Sequence, residues 1–199
     1  MASEIEIKIP LTDSEYDRLL GLLREGTGAA GKLEHIIKKD EYFSRYDSEE
    51  ERRASDEPRV IRIRTEKNDE KPDEKSFFCF KFKKIQNGME FNSENESFVQ
   101  NGAVLKQFLE ISGYKKYFEK CKEAWSQYYE PDWAHGICFH GELVIVNGHK
   151  YMETEVTDSP QDPQLVREGL EKFITGLGLD VAKKDSRSWM EIIRESKQR

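Results

Sequence analysis

The chain has 199 residues, 36% hydrophobic and 36% charged, with a formal net charge of −7 and a pI near 5.3. That is enough for one sizeable core in a single domain spanning residues 1–199, and the acidic balance argues against nucleic acid or an anionic membrane as partner, since both recruit a basic surface. No stretch approaches the roughly 18 apolar residues of a spanning helix, the N-terminus lacks a signal-peptide core, and Cys79, Cys121 and Cys138 are odd in number and far apart, so a soluble cytoplasmic protein without disulfides is expected.

Short alternating runs predict strands at residues 4–9, 42–43, 59–65, 76–83 and 94–99. Between the first two, Thr12 reads as a helix N-cap and Glu15 completes a capping box; Leu19, Leu20, Leu22 and Leu23 supply an apolar stripe, and glycines end the helix. Two charge-rich segments, 47–58 and 67–75, read as solvated loops. A helix at 103–111 is stopped by Gly113, and strands follow at 117–125, 136–146 and 150–157, the last two joined at the favoured turn pair Asn147-Gly148. Asp162-Pro163 fits an N-cap with proline in the first helical position, opening a helix through Leu165, Leu170, Phe173 and Ile174 to a Gly176/Gly178 stop, and residues 188–195 make a short final helix. The first strand–helix pair and the 153–178 segment share one plan, which hints at an internal duplication. His35, His135, His140 and His149 have no metal-ligand spacing and read as surface or loop residues.

In a strand, residues i and i+2 face one side, so charged pairs at that spacing show what one face is for. Glu4, Glu6 and Lys8 alternate with Ile5, Ile7 and Ile9; Arg62 and Arg64 with Ile61 and Ile63; Lys81 and Lys83 with Phe80 and Phe82. Glu94 with Glu96, Lys120 with Lys122, and Glu153 with Glu155 repeat the scheme. A half-buried sheet facing water would show any one of these pairs. Together they suit a closed barrel whose lumen holds a charged occupant: oxygen-only carboxylate sets fit Mg2+ or Mn2+, and facing arginines and lysines fit a chain of phosphates. Cations lined up on one wall and carboxylates on another would strain such a lumen when empty.

These motifs, in this order, resemble the CYTH superfamily of triphosphate tunnel metalloenzymes, which includes class IV adenylyl cyclases and thiamine triphosphatases. Glu4-x-Glu6-x-Lys8 is similar to its ExExK signature, 39–43 to its second strand, Arg62-x-Arg64 to its RxR strand, Lys81 to its single-lysine strand, Lys120-x-Lys122 to its KxR strand and Glu153-x-Glu155 to its late ExE. Residues 186–193 are similar to the tail of the class IV cyclases. Asn92 stands where the family usually has arginine, Phe82 where glycine is common, and no Gly-Leu-Gly turn precedes the late ExE; for an aspartate common in the preceding strand, Glu142 is the nearest counterpart.

The resemblance implies an α+β, mainly antiparallel fold, a closed eight-stranded barrel with helices packed outside, in a monomer or homodimer. It implies metal held by Glu4, Glu6, Glu94, Glu96, Glu153 and Glu155, triphosphate held by Lys8, Arg62, Arg64, Lys81, Lys83, Lys120 and Lys122, and catalysis by Glu4, Glu6 and Lys8. The expected function is Mg2+- or Mn2+-dependent hydrolysis of tripolyphosphate, thiamine triphosphate or another organic triphosphate. Conversion of ATP to cyclic AMP and pyrophosphate is the alternative, and a non-catalytic polyphosphate- or nucleotide-binding module the second.

Overall fold

The structure is a computed structural model that describes residues 2–26, 28–55, 58, 60–86, 89–157, 159 and 161–197. Its strands are β1 (Ala2–Pro10), β2 (Glu34–Ser44), β3 (Val60–Asn68), β4 (Lys71–Gln86), β5 (Met89–Val99), β6 (Lys115–Tyr129), β7 (Phe139–Val146) and β8 (His149–Thr157). Its helices are α1 (Asp13–Glu25), α2 (Glu49–Ala54), α3 (Gly102–Ile111), α4 (Pro163–Gly176) and α5 (Trp189–Ser196). The strand order β1-β5-β4-β3-β2-β6-β7-β8 closes into a barrel, the fold class expected from the alternating motifs. Among the described residues no helix is long and apolar enough to cross a membrane.

Contacts divide the chain into two compact units, Met1–Glu4 with Ile36–Cys121 and Ile5–His35 with Lys122–Arg199. In the first, β3, β4 and β5 form a continuous antiparallel ladder. The outward residues Ile61 and Ile63 pack with Phe43 and Leu109, flanked by Phe78, Phe80, Leu105 and Tyr114, so that α3 covers β3 and β4. Burying one such isoleucine contributes about 1.5–3 kcal/mol, and covering this face commits Arg62 and Arg64 to the opposite one. The Asn101 side chain caps α3 by accepting from the Val104 N–H at 3.1 Å. Gly102 permits the close approach of α3 to β4, because a Cβ there would stand 2.6 Å from Ser76 Oγ.

In the second unit Ile7 and Ile9 of β1, Leu143 of β7 and Met152 and Val156 of β8 share one apolar cluster with α1 and α4. Tyr16, Leu19 and Leu23 supply the α1 side; Val166, Leu170, Phe173 and Ile174 supply the α4 side. Phe139 of β7 stacks on Phe173 at a centroid distance of 5.0 Å. Thr12 and Glu15 form the expected capping box, Asp162 caps α4 ahead of Pro163, and Asn147 and Gly148 turn the β7–β8 hairpin at positive φ (49° and 81°). Leu22 and Leu165 fall off their helices' buried stripes and are exposed.

Three expectations are corrected. Residues 47–58 are not a bare loop: they contain α2, started by a capping box between Ser48 and Glu51. Residues 67–75 continue the β3–β4 ladder, with Asn68 paired to Lys71 across a two-residue turn. The strand expected at 42–43 begins at Glu34, and β2 pairs with β3 from Ile36 to Tyr42.

Candidate functional site

The first unit gathers charge around Asp40, a residue that the i, i+2 pairs left out. Asp40 stands opposite Arg64, and Tyr42 opposite Arg62, across β2 and β3. The Asp40 carboxylate is fully buried; it accepts from Arg64 Nε at 2.7 Å and Nη2 at 3.0 Å, with Arg62 Nη1 3.7 Å and Lys120 Nζ 3.5 Å away. Burial alone would raise its pKa, but the two guanidiniums and the ammonium outweigh it and hold the carboxyl well below the usual range. One buried carboxylate thus neutralises part of three cations.

The next strands repeat the arrangement. Arg62 Nη2 donates to Glu94 at 3.2 Å and to Glu96 at 3.1 Å, and Lys81 Nζ lies 2.9 Å from Glu4 and 2.5 Å from Glu94. Against the penalty of burial, the Lys81 ammonium and the hydrogen bonds to Glu94 bring its pKa to about 2. The Cys79 thiol donates to Glu94 at 2.8 Å, and burial pushes that thiol up to about 12. Arg62 Nε is buried without a hydrogen-bond partner among the described residues, an orphan donor inside a cationic cluster. Lys83 lies on β4 opposite Asn92, but both side chains are outside the described set.

In the second unit β6, β7 and β8 supply the charge. Buried Lys122 donates to Glu142 at 2.6 Å and to Glu153 at 2.7 Å. Trp189, at the start of α5, donates its indole N–H to the other Glu153 oxygen at 2.5 Å. The segment before α5 is tied to β1 and β8: Lys8 Nζ donates to the Arg187 carbonyl at 2.6 Å, and Tyr151 Oη to Asp185 at 2.9 Å. Hydrogen bonds from Arg187 hold Asp185 at about 2. Glu6 and Glu155 offer carboxylate oxygens within 4.8 Å of each other. That hard-oxygen pair fits Mg2+ or Mn2+. His140, on β7 opposite Glu155, bonds to it through Nδ1 at 2.9 Å and to Ser126 Oγ through Nε2 at 2.7 Å.

The expected site residues therefore fall into two sets. Glu4, Arg62, Arg64, Lys81, Glu94, Glu96 and Lys120 lie in the first unit; Glu6, Lys8, Lys122, Glu153 and Glu155 lie in the second. Glu142, the anticipated acidic counterpart, sits opposite Glu153 and shares Lys122 with it. The expectation of like charges facing like is corrected, since Arg62, Arg64, Lys81, Lys120 and Lys122 each stand beside a carboxylate. His140 is no loop histidine, since it lies on β7, and Asp40, Cys79, Ser126 and Trp189 were not among the expected site residues. The alternation Lys38, Asp40, Tyr42 was the available signal for Asp40, for Lys38 too is buried.

No family model and no curated protein sequence matches the chain. Solved structures do. The PH1819 protein of Pyrococcus horikoshii is 21% identical with a TM-score of 0.71, over 97% of this chain and 99% of its own. A candidate adenylate cyclase of Vibrio parahaemolyticus is 15% identical with a TM-score of 0.68, over 96% of this chain and 97% of its own. The candidate adenylyl cyclase HpAC1 of Hippeastrum, described with a dominant triphosphatase activity, is 14% identical with a TM-score of 0.61, over 98% and 96%. At these identities the likeness establishes a shared fold along almost the whole chain.

Proposed function

We propose that the chain is a divalent-metal-dependent triphosphatase, acting on tripolyphosphate or an organic triphosphate. The observation that carries this reading is the orphan Nε of buried Arg62 within a cluster of Arg64, Lys81 and Lys120. A buried donor lacking a partner costs about 1–3 kcal/mol, and an anionic oxygen would satisfy it. In this reading Arg62, Arg64, Lys81, Lys83, Lys120 and Lys122 hold phosphate oxygens, the arginines as forks and the lysines as movable point charges. Glu4, Glu6, Glu153 and Glu155, with Glu94 and Glu96, provide the oxygen donors for Mg2+ or Mn2+. The metal would supply charge neutralisation on the phosphates and a more acidic bound water. Lys8 balances charge on the leaving oxygen, and a carboxylate of the set takes the proton of the attacking water.

The test is incubation of the pure protein with Mg2+ or Mn2+ and tripolyphosphate, thiamine triphosphate or ATP, followed by product identification. Orthophosphate release supports hydrolysis. Cyclic AMP with pyrophosphate supports the second reading, cyclisation, which is favoured by the cyclase-like tail at 186–193 and by the fold shared with candidate adenylate cyclases. Tight binding without any product would point to a non-catalytic module.

A further inference from the structure

Within the second unit, three strands bring together Ser126, His140 and Glu155, residues of which only Glu155 belongs to the charged pairs. Ser126 is on β6, His140 on β7 and Glu155 on β8. His140 faces Glu155 directly in the β7–β8 register, while Tyr128, two residues after Ser126, faces His140 in the β6–β7 register. Side chains opposite one another in an antiparallel pair share a face, so Tyr128, His140 and Glu155 form one row across the sheet, and Ser126 lies on the same face two residues along β6, opposite Glu142.

The hydrogen bonds order that row. A carboxylate can only accept, so the 2.9 Å contact to Glu155 Oε1 requires the proton on His140 Nδ1. In the neutral ring Nε2 is then an acceptor, and the Ser126 hydroxyl, 2.7 Å away, donates to it. Ser126 is itself buried. Tyr128 stacks on the imidazole with centroids 4.5 Å apart and planes at 19°, which fixes the ring's tilt. The ring is thus held at both nitrogens and on one face, with Glu142 Oε1 3.8 Å from Nε2, and the group it donates to is Glu155.

We infer that His140 is a positioning residue: it fixes the Glu155 carboxylate, on the reading above, in the orientation that presents an oxygen toward Glu6 for a divalent cation, and Ser126 and Tyr128 fix His140. Glu155 is about a third exposed and carries a flexible side chain; unheld, it would lose rotamer freedom on each binding event. Groups behind a metal ligand commonly act in this way, and their loss costs about 10–100-fold in metal affinity.

The experiment measures Mn2+ affinity of the full chain by calorimetry and by electron paramagnetic resonance, without triphosphate, for the wild type, for His140→Phe, His140→Asn and Glu155→Gln, and for His140→Phe combined with Glu155→Gln. Phenylalanine keeps the stack on Tyr128 and loses the donor; asparagine loses the stack and keeps an N–H near the Nδ1 position. Positioning predicts that His140→Phe weakens Mn2+ binding about 10–100-fold, that His140→Asn recovers most of it, and that His140→Phe adds nothing in the Glu155→Gln background. A merely structural role predicts the reverse order, phenylalanine above asparagine, and that order overturns the inference. If Glu155→Gln weakens binding and His140→Phe does not, the metal reading stands and the positioning role falls. If neither changes it, or the wild type binds no Mn2+, the metal reading of Glu155 falls and takes the inference with it. Should the phenylalanine variant not fold, 15N spectra of the wild type decide: Nδ1 protonated supports the inference, and an unprotonated Nδ1 overturns it.

Discussion

Arg64 and Asp40 stand opposite each other on β3 and β2, and their side chains make a two-pronged ion pair, Nε to Oδ1 at 2.7 Å and Nη2 to Oδ2 at 3.0 Å. Two more cations, Arg62 and Lys120, approach the same carboxylate. Removing that charge takes a shared buried counter-charge from Arg62, Arg64 and Lys120, and breaking a buried pair costs about 3–5 kcal/mol.

Asp40→Asn is therefore expected to lower the unfolding free energy by that amount, read as a lower urea midpoint at unchanged m, with little change in secondary structure below the transition. Asp47→Asn, which removes the exposed partner of Lys115, should leave the midpoint where it is. Equal midpoints for the two variants would mean that Asp40 does not balance the cluster.

Acid sensitivity follows from the same groups. Asp40 and Glu94 are held below their ordinary values when folded, so the unfolded chain takes up protons first as pH falls. Their contribution is complete above the ordinary carboxylate range of about 4; that of Glu94 is lost as pH falls from there toward about 2, and that of Asp40 as pH falls through its own lowered value. Urea unfolding at a series of pH values should show stability dropping across that window, with a shallower drop for Glu94→Gln. An unchanged slope in that variant would show that Lys81 does not depress Glu94.

What was legible in the sequence was whatever repeats at a strand's own period. Ile5, Ile7 and Ile9 against Glu4, Glu6 and Lys8, or Ile61 and Ile63 against Arg62 and Arg64, announce a two-faced strand because one face is uniformly apolar. The early part of β2 hid because its buried face mixes Ile36, Lys38 and Asp40 while Ile37 is exposed, so hydrophobicity has no period there. The six-residue α2 shows no apolar stripe, only Ser48 and Glu51 inside a charge run. Ser126 and His140 carry no local signal at all; they are 14 positions apart, and the sheet register is what joins them.

For the proposed metal site, Glu6→Gln and Glu155→Gln should each abolish turnover while the circular dichroism spectrum stays that of the wild type. EDTA should stop the reaction, and Mg2+ or Mn2+ should restore it. Full activity after exhaustive chelation would remove the metal from the mechanism, and near wild-type rates in both variants would remove these two carboxylates from the site.

Ligand binding should be visible as stability, and the pairing of charges sets how. Arg62 and Lys81 are engaged with Glu94. A triphosphate that takes hold of them leaves carboxylates without partners, and those repel the incoming oxygens. A divalent cation answers the freed carboxylates, so tripolyphosphate with Mg2+ should stabilise the fold far more than tripolyphosphate alone. At about a hundredfold over Kd the gain is roughly 2.7 kcal/mol, or on the order of 5–10 °C in Tm for a chain of this length. Orthophosphate at equal concentration should do little, since it spans too few cations. Arg62→Ala and Lys81→Ala should show a smaller rise than the wild type. A melting curve that stays put across the millimolar range of Mg2+ and tripolyphosphate would mean that these charged faces bind no triphosphate, and that their ion pairs serve the fold alone.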